Sequence, residues 1–269
     1  MEITVKKILL SITACFIALS LIACGGQPQR DPGPDYADDE AIEIIADGFE
    51  ARQNLITKVE NEDPSNVQSM KNLRSYVEAE LSEAEKLRTR VFENSEMQET
   101  VLTYINTLDD TLKILEDNPV TSAEFYDKWD KAANERASLI KKFVEEYKLT
   151  VGEKYQETLD EIVATGTAAT KQSKVKKALD NLVSSIVFEQ KDDGYGYFTY
   201  SAVVENTTGI DFGNVSIDLA LYDADGVKAE DAYLNTTSWA AGEKVRFETS
   251  STVSAAETKA SVSFYEVIE

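Results

Sequence analysis

The sequence predicts an α+β protein with two folded domains, an antiparallel helical bundle followed by an all-β domain. Between residues 38 and 184 the apolar residues recur at spacings of three and four, which is typical of amphipathic helices. After Val183 the spacing becomes two, which is typical of strands with one buried face. All the helical segments come before the strand segments, and the two kinds do not alternate. This order favours segregated layers of helices and strands over a parallel α/β sheet.

Four apolar stripes predict the antiparallel bundle over residues 38–149. The stripes are interrupted at 63–65 and at 118–119, where a proline stops the helical periodicity. Short links between long helices make neighbouring helices antiparallel, and four stripes can close one core. Capping-box patterns, in which Ser or Thr precedes Gln or Glu by three residues, predict helix starts at Ser65, Ser95, Thr121 and Thr150.

Two shorter helices complete the predicted helical domain, which covers residues 38–184. The first covers 151–164, and the Thr-Gly-Thr-Ala-Ala-Thr sequence at 165–170 is typical of a loose connection. The second covers 171–184 and is basic; its lysines are Lys171, Lys174, Lys176 and Lys177.

Residues 185–269 form the second predicted domain, a β-sandwich. About six or seven short runs alternate apolar and polar residues over this segment. An Asp-Asp-Gly sequence at 192–194 is typical of a hairpin turn. The alternation places its apolar members inward, namely Ile217, Leu219, Leu221, Val245, Phe247, Val262, Phe264 and Val267.

Three segments of this domain are similar to a known family. The sequence Leu-Ala-Leu-Tyr-Asp-Ala-Asp-Gly at 219–226 resembles the signature of the FxLYD domain, a small module of secreted and lipid-anchored prokaryotic proteins, with Leu219 in the place of the Phe. Residues 203–209 resemble its strand that ends in Asn and a polar turn, and 241–247 resemble its Pro-Gly-Glu turn with alanine instead of proline. The resemblance covers about 185–267 and implies an immunoglobulin-like sandwich without catalytic residues.

The chain begins with an export signal, predicted over residues 1–23. A basic start precedes an apolar run at 8–22, which as a helix would measure roughly 22 Å, shorter than a ~30 Å hydrocarbon core. The run leads into Leu-Ile-Ala-Cys, which resembles a bacterial lipobox. This resemblance implies cleavage before Cys24 and attachment of acyl chains such as palmitate to its sulfur. The alternative is an uncleaved membrane anchor with an unmodified cysteine.

A flexible tether is predicted at residues 24–37, which are rich in Gly and Pro and nearly free of large apolar side chains. Two cysteines occur in the chain, and Cys15 lies in the segment that cleavage would remove. The mature chain would then retain only Cys24, so we expect no internal disulfide.

The composition excludes several classes of chemistry. The chain has 269 residues, a formal net charge of −22 and no histidine. Without histidine there is no Ser-His-Asp or Cys-His nucleophile and no imidazole metal ligand. The negative charge repels phosphate backbones, so we expect no nucleic-acid partner. We predict a protein that is not an enzyme and that has no cofactor or resident metal.

Four residues are candidates for contact with a partner. Tyr195, Tyr197 and Tyr200 lie on one aromatic-rich strand, and because successive residues face opposite sides, some of these rings must be exposed. Arg136 occupies an inward position of the fourth helical stripe. Either it meets a carboxylate in a polar pocket, or it lies at the margin of the stripe with its head group in water, which we favour.

An acidic turn follows the FxLYD-like signature. Asp223 and Asp225 resemble half of a calcium loop, but the pattern lacks the middle ligand and the closing Glu. We interpret the segment as a hairpin turn. A weak calcium site at the edge of the sandwich, with Asp192, Asp193 or Asp211 nearby, is the alternative.

These observations predict a lipid-anchored lipoprotein on the extracytoplasmic face of the cell membrane. Its predicted role is non-catalytic and consists of protein–protein or cell-envelope interactions. The expected partners are the membrane, through the lipid anchor, and an envelope protein or wall component. Two alternatives stay open: a solute-binding lipoprotein of a transport system, which usually alternates strands and helices, and a wall-polymer hydrolase, which needs two carboxylates in a cleft.

Overall fold

The computed structural model describes residues 34–117, 119 and 121–268, and it has an α+β fold. Five α-helices occupy the N-terminal part of this described chain, and two small antiparallel sheets follow them. The predicted α+β class, with helices before strands, is confirmed. The predicted signal peptide (1–23), the acylated Cys24 and the tether residues 24–33 lie outside the described residues.

The helices of the described chain pack in sequence order, each against the next. Their bounds are α1 (Asp38–Glu62), α2 (Met70–Ala84), α3 (Ser95–Asp117), α4 (Ala123–Tyr147) and α5 (Gln156–Ser184). All five contribute to one apolar core, whose buried members include Phe49, Val77, Tyr104, Phe143 and Leu159. In this part of the chain no helix has both the length and the apolar character that a membrane span requires.

Three helices begin at side-chain caps whose oxygen atoms accept backbone N–H groups of the first turn. The caps of α2, α3 and α4 are Ser69, Asn94 and Ser122. The predicted caps Ser65, Ser95 and Thr121 are therefore wrong, although each lies near the true one. Before α2, Pro64 begins a 3-10 turn over Pro64–Asn66, and this turn delays the start of the helix.

The helix α5 is continuous over 29 residues. The predicted loose connection at 165–170, and the division into helices 151–164 and 171–184, are therefore wrong. The threonines of the connection fit a helix because their hydroxyls donate to carbonyl groups one turn earlier; Thr170 Oγ1, for example, donates to Gly166 O at 2.7 Å. Packing on both sides of this segment outweighs its weak helix propensity.

The same helix belongs to two cores. Near its start, Leu159 packs in the helical core. Further along, Val175, Leu179 and Val183 are buried among side chains of the strands. A break in the middle of α5 would therefore separate two packed regions, which explains why the helix is continuous where its sequence is poorly suited to helix.

Gly166 allows α4 and α5 to touch through their backbones. A Cβ atom at this position would lie 2.6 Å from the carbonyl carbon of Ala137, and closer still to its oxygen. No side chain can occupy that space without moving one of the helices. The glycine that made 165–170 look like a loop is thus the residue that lets the helix pass α4.

We expect Gly166→Ala to lower the free energy of unfolding by about 1–3 kcal/mol, because overpacking forces the backbones apart. The same replacement at an open helical position would stabilise by about 0.5–1 kcal/mol, so the sign of the change is diagnostic. The measurement is urea unfolding followed by circular dichroism. Thr167→Ala, at an exposed position of the same helix, is the matched control and should have little effect. A stabilising Gly166→Ala would contradict the close contact.

The strands of the described chain form two three-stranded antiparallel sheets, with the orders β1-β2-β5 and β4-β3-β6. Their bounds are β1 (Glu189–Gly194), β2 (Tyr197–Glu205), β3 (Phe212–Tyr222), β4 (Lys228–Thr236), β5 (Lys244–Ser251) and β6 (Glu257–Val267). Both sheets contribute to one core, whose buried members include Tyr200, Ile217, Leu219, Leu221, Trp239 and Phe247.

Phe264 points away from this core, so its predicted inward position is wrong. In the register of β3 and β6, Ile217 faces Val262 whereas Ser216 faces Phe264, which leaves Ser263 as an extra residue in β6. Such a bulge shifts the alternation of side chains by one residue. Phe264 is consequently 50% exposed, and Tyr265 takes the inward place.

Asn206 ties the turn after β2 to the turn before β5. Its buried side chain donates through Nδ2 to Ile210 O and Trp239 O, both at 2.8 Å, and its Oδ1 accepts the N–H of Thr208 at 3.1 Å. The backbone N–H of Asn206 also donates to Glu243 O at 2.9 Å. Through its backbone, Asn206 therefore joins two of the three FxLYD-like segments, 203–209 and 241–247.

The end of the predicted tether is packed against the helices. Tyr36 forms an isolated parallel bridge with Val91, and the N–H of Ala37 donates to Val91 O at 2.9 Å. Ala37 is fully buried. The prediction of a flexible segment that extends to residue 37 is therefore wrong for Tyr36 and Ala37, which lie in the folded region.

Candidate functional site

Two of the predicted partner-binding residues lie at the exposed end of the β1–β2 hairpin. The ring of Tyr195 is fully exposed, and Tyr197 is 54% exposed. Gly194, Tyr195 and Gly196 have successive φ angles of 80°, 56° and 81°, all in the left-handed region. A residue with a Cβ atom costs about 1–2 kcal/mol in this conformation, and Tyr195 buries no ring surface that would offset that cost.

Acidic side chains fix the shape of this hairpin end. Asp192 Oδ1 accepts the N–H of Gly194 at 2.8 Å. Asp193 accepts from the hydroxyl of Thr199 and pairs with Lys191 Nζ at 2.7 Å, and these hydrogen bonds lower the pKa of the Asp193 carboxyl below its ordinary value. The hairpin therefore presents its two exposed tyrosines from a turn that is already ordered.

Tyr200, the third tyrosine of the prediction, is buried and cannot present its ring to a partner. Its hydroxyl donates to Val253 O at 2.7 Å and accepts the N–H of Ala255 at 2.9 Å. Because these bonds hold the loop between β5 and β6, Tyr200 has a packing role and is withdrawn as a contact residue.

Arg136 is also buried, so the favoured position at the margin of its stripe is wrong. Its Nε donates to both carboxylate oxygens of Glu80, at 2.8 and 2.9 Å, and its Nη2 lies 2.7 Å from Oε1 without the alignment of a hydrogen bond. Arg52 Nη1 donates to Glu80 Oε2 at 2.8 Å, and the hydroxyl of Tyr104 donates to Oε1. One residue from each of α1, α2, α3 and α4 thus meets at a single carboxylate.

The charge state of this buried cluster follows from its contacts. Burial by itself would raise the pKa of the Glu80 carboxyl, but the charges of Arg136 and Arg52 outweigh burial and hold that pKa below its ordinary value. Burial raises the pKa of Tyr104 well above its ordinary value, and the Glu80 carboxylate raises it further. The cluster therefore holds one carboxylate, two guanidinium groups and a neutral phenol, with an excess of one positive charge.

The contacts of Glu80 favour a structural role for the cluster. Its two oxygens accept hydrogen bonds from three different side chains, and the Glu80 side chain has no exposed surface. A carboxylate occupied in this way is not placed to take a proton from a substrate. What it does is join four helices through charge-assisted hydrogen bonds.

Glu80 was missed in the sequence, although a signal was present. It lies three residues after Val77 and four before Ala84, both of which are buried, so helical spacing places it inward. An acid at an inward position of one helix and Arg136 at an inward position of another together indicate a buried ion pair.

We expect Glu80→Gln to lower the free energy of unfolding by about 3–5 kcal/mol at neutral pH, because two guanidinium groups lose their carboxylate. Since the folded pKa of Glu80 is depressed, its contribution is complete above the unfolded value of about 4.3 and is lost as the pH falls through the folded pKa. The difference between wild type and variant should thus stay constant near neutrality and narrow in acid. Urea unfolding across this pH range measures it.

The control for this experiment is Glu78→Gln, which removes a half-exposed carboxylate from the same helix. Exposed ion pairs contribute about 0–1 kcal/mol, so Glu78→Gln should change stability little at any pH. If the two variants were equally stable, the proposed role of the buried carboxylate would be wrong.

The acidic segment after β3 forms a turn. Asp223 Oδ1 accepts the N–H groups of Asp225 and Val227, at 2.9 and 3.0 Å. These bonds close the connection between β3 and β4, as expected for a hairpin. Among the described residues, no three His, Cys, Asp or Glu side chains converge on a position that could hold a metal ion.

Comparison with known proteins identifies no family. No family model matches this chain, so its resemblance to the FxLYD domain stays a prediction. No curated protein matches it either. A solved structure, the alkylpurine DNA glycosylase of Pseudomonas fluorescens bound to DNA containing an abasic site analog, is similar with 11% identity and a TM-score of 0.20; the match covers 76% of this chain and 68% of that one.

The glycosylase comparison bears on one prediction. Because that protein is bound to DNA, the finding runs against our statement that this chain has no nucleic-acid partner, and we withdraw the statement. At a TM-score of 0.20 the likeness supports no argument for nucleic-acid binding.

Proposed function

We propose that this chain is a lipid-anchored protein of the extracytoplasmic membrane face that acts by binding another protein and not by catalysis. The observation that carries the proposal is the end of the β1–β2 hairpin, where Tyr195 is fully exposed in a left-handed conformation. A large ring held there in water contributes nothing to folding. Such local strain is typical of functional positions.

Tyrosine suits a contact residue for physical reasons. Its ring buries a large apolar area with little loss of side-chain freedom, and its hydroxyl can pair with polar groups of a partner. Tyr195 and the half-exposed Tyr197 lie two residues apart, so one partner surface can contact both rings. The bonds of Asp192 and Asp193 support this role, because a turn that is ordered beforehand loses less freedom on binding.

The anchored location rests on the start of the sequence. The apolar run at 8–22 and the lipobox-like sequence that ends at Cys24 favour export and acylation. Two or more acyl chains hold a protein on a bilayer, whereas one alone gives marginal binding.

We also propose a finer description of the fold. The helices α1 to α4 would form an antiparallel bundle, and the two sheets an immunoglobulin-like sandwich of the FxLYD kind. The core that the two sheets share supports the sandwich. The backbone hydrogen bonds of Asn206 to Gly242 and Glu243, which join two of the FxLYD-like segments, support the family resemblance.

We expect the double variant Tyr195→Ser/Tyr197→Ser to fold like wild type and to lose its protein partner. The reason is that both rings are exposed and that the binding energy of interfaces is concentrated in a few aromatic side chains. The measurement is chemical cross-linking in intact cells followed by purification, with thermal unfolding as the test of folding. Tyr233→Ser, at another exposed tyrosine, is the matched control and should keep the partner. An unchanged set of cross-linked proteins in the double variant would contradict the proposal.

We expect Cys24→Ala to release the protein from the membrane fraction and to abolish incorporation of labelled palmitate, because the acyl acceptor is lost. Cys15→Ala is the control, since it changes a cysteine inside the predicted signal and should leave both properties unchanged. Retention of the Cys24→Ala protein in the membrane would support an uncleaved anchor instead.

A further inference from the structure

A groove of about 600 Å³ lies between α5 and β6, and no residue of the β1–β2 hairpin is among those that line it. Clefts that hold small molecules typically measure about 300–1,000 Å³. The floor and walls of this groove are mostly apolar and include Ala168, Val175, Val262, Phe264, Tyr265 and Val267. Its size and lining therefore suit a small ligand with an apolar body.

The bulge in β6 creates the apolar surface of this groove. Because Ser263 is the extra residue, Phe264 is turned out of the core and stands half-exposed in the groove. β6 lies at the end of its sheet, but a bulge makes an edge a poor template for pairing with a further strand. Side-chain chemistry, more than backbone pairing, must then determine what binds here.

The charge of the groove is opposite to that of the chain. Its lining contains Lys171 and Lys176 and, among the described residues that form it, no acidic side chain. The chain as a whole has a net charge of −22. Lys176 pairs with Asp180 at 2.6 Å on the exposed surface of α5, and such a pair is weak enough to exchange for another anion.

An adjoining groove limits where an anion could lie. That second groove, about 620 Å³ in volume, runs between α4 and α5 and shares Gln172, Lys176 and Tyr265 with the first. Its lining carries three carboxylates, Asp127, Asp130 and Glu135, which outnumber its two lysines, Lys131 and the shared Lys176. These carboxylates would repel an anion, so the anionic group of a ligand is restricted to the side of Lys176 that faces β6.

We propose that the groove between α5 and β6 binds a single-chain amphiphilic anion, namely a fatty-acid-like carboxylate with an acyl chain of medium length. The acyl chain packs against Phe264, Val262 and Val175, and the carboxylate lies near Lys171 and Lys176. The α5 segment from Ala168 to Lys176 is about 12 Å long, which sets the length of chain that the groove can cover.

The protein for the test is the full chain carrying Cys24→Ala, so that no acyl chain attached to the protein competes for the groove. It is titrated with decanoate at concentrations below those at which micelles form. The measurement is isothermal titration calorimetry. Decanol, with the same chain and no charge, and decyltrimethylammonium, with the opposite charge, are the ligand controls. We expect saturable binding of decanoate, binding of decanol about fivefold weaker, and no binding of the cation.

Variants locate the site. Lys176→Glu should weaken the binding of decanoate by about fivefold and leave the binding of decanol unchanged. Phe264→Ala should weaken the binding of both ligands, because it removes apolar surface from the groove. Lys177→Glu is the matched control, because it makes the same charge change at an exposed residue of α5 outside the groove. It should change neither affinity.

Three results would overturn the proposal. The first is equal weakening by Lys176→Glu and Lys177→Glu, which would indicate attraction by overall charge alone. The second is equal affinity for decanol and decanoate. The third is binding of a capped peptide of alternating valine and glutamate in place of decanoate. Tyr195 lies outside the groove, so Tyr195→Ser should not affect the binding of decanoate. The decanoate experiment can therefore fail while the proposed function holds, and the reverse is also possible.

Discussion

The contact between α4 and α5 at Ala137 and Gly166 is the constraint on which the rest of the described structure depends. The residue before Ala137 is Arg136, which is bound to Glu80. Successive residues of a helix point about 100° apart, so this turn of α4 faces the ion cluster on one side and α5 on the other. α5 in turn carries Leu179 into the core of the sheets. A displacement of α4 would therefore disturb the helical core, the strands and the groove together.

The buried cluster explains why α4 keeps this position. Its charges must be desolvated, and such clusters add less to stability than their short distances suggest. Their effect is on specificity: a shift of any one of the four helices would separate Glu80 from a partner and leave buried polar groups without a full set of hydrogen bonds. Exposed pairs such as Lys113–Asp110 impose no such penalty. In a strongly acidic chain, one buried carboxylate thus determines more of the packing than the many on the surface.

The structure agrees best with the sequence-based predictions where apolar residues recur with a clear helical or strand periodicity. The order of helices and strands, and the inward positions of Ile217, Leu219 and Leu221, follow from local patterns and are confirmed. The predictions failed where a contact distant in sequence overrides the local pattern. In the sequence Gly166 resembles a loop residue, because the sequence does not show that the backbone of α4 lies beside it. Phe264 fits the alternation of inward residues, but the extra residue Ser263 in β6 shifts it to the other face. The register between β6 and its partner strand cannot be inferred from a local pattern.

The two candidate binding surfaces share a physical origin. Each is formed where an irregularity in a strand or turn brings an aromatic ring into water: a left-handed Tyr195 at the hairpin end, and the bulge before Phe264. A regular turn and a regular alternation would have avoided the strain at the first and buried the ring at the second. Because both irregularities cost stability and neither improves the packing of its own ring, folding alone does not account for them. We infer that binding in this protein belongs to the β-sheets and to the face of α5 beside them, while the polar cluster of the helices serves rigidity.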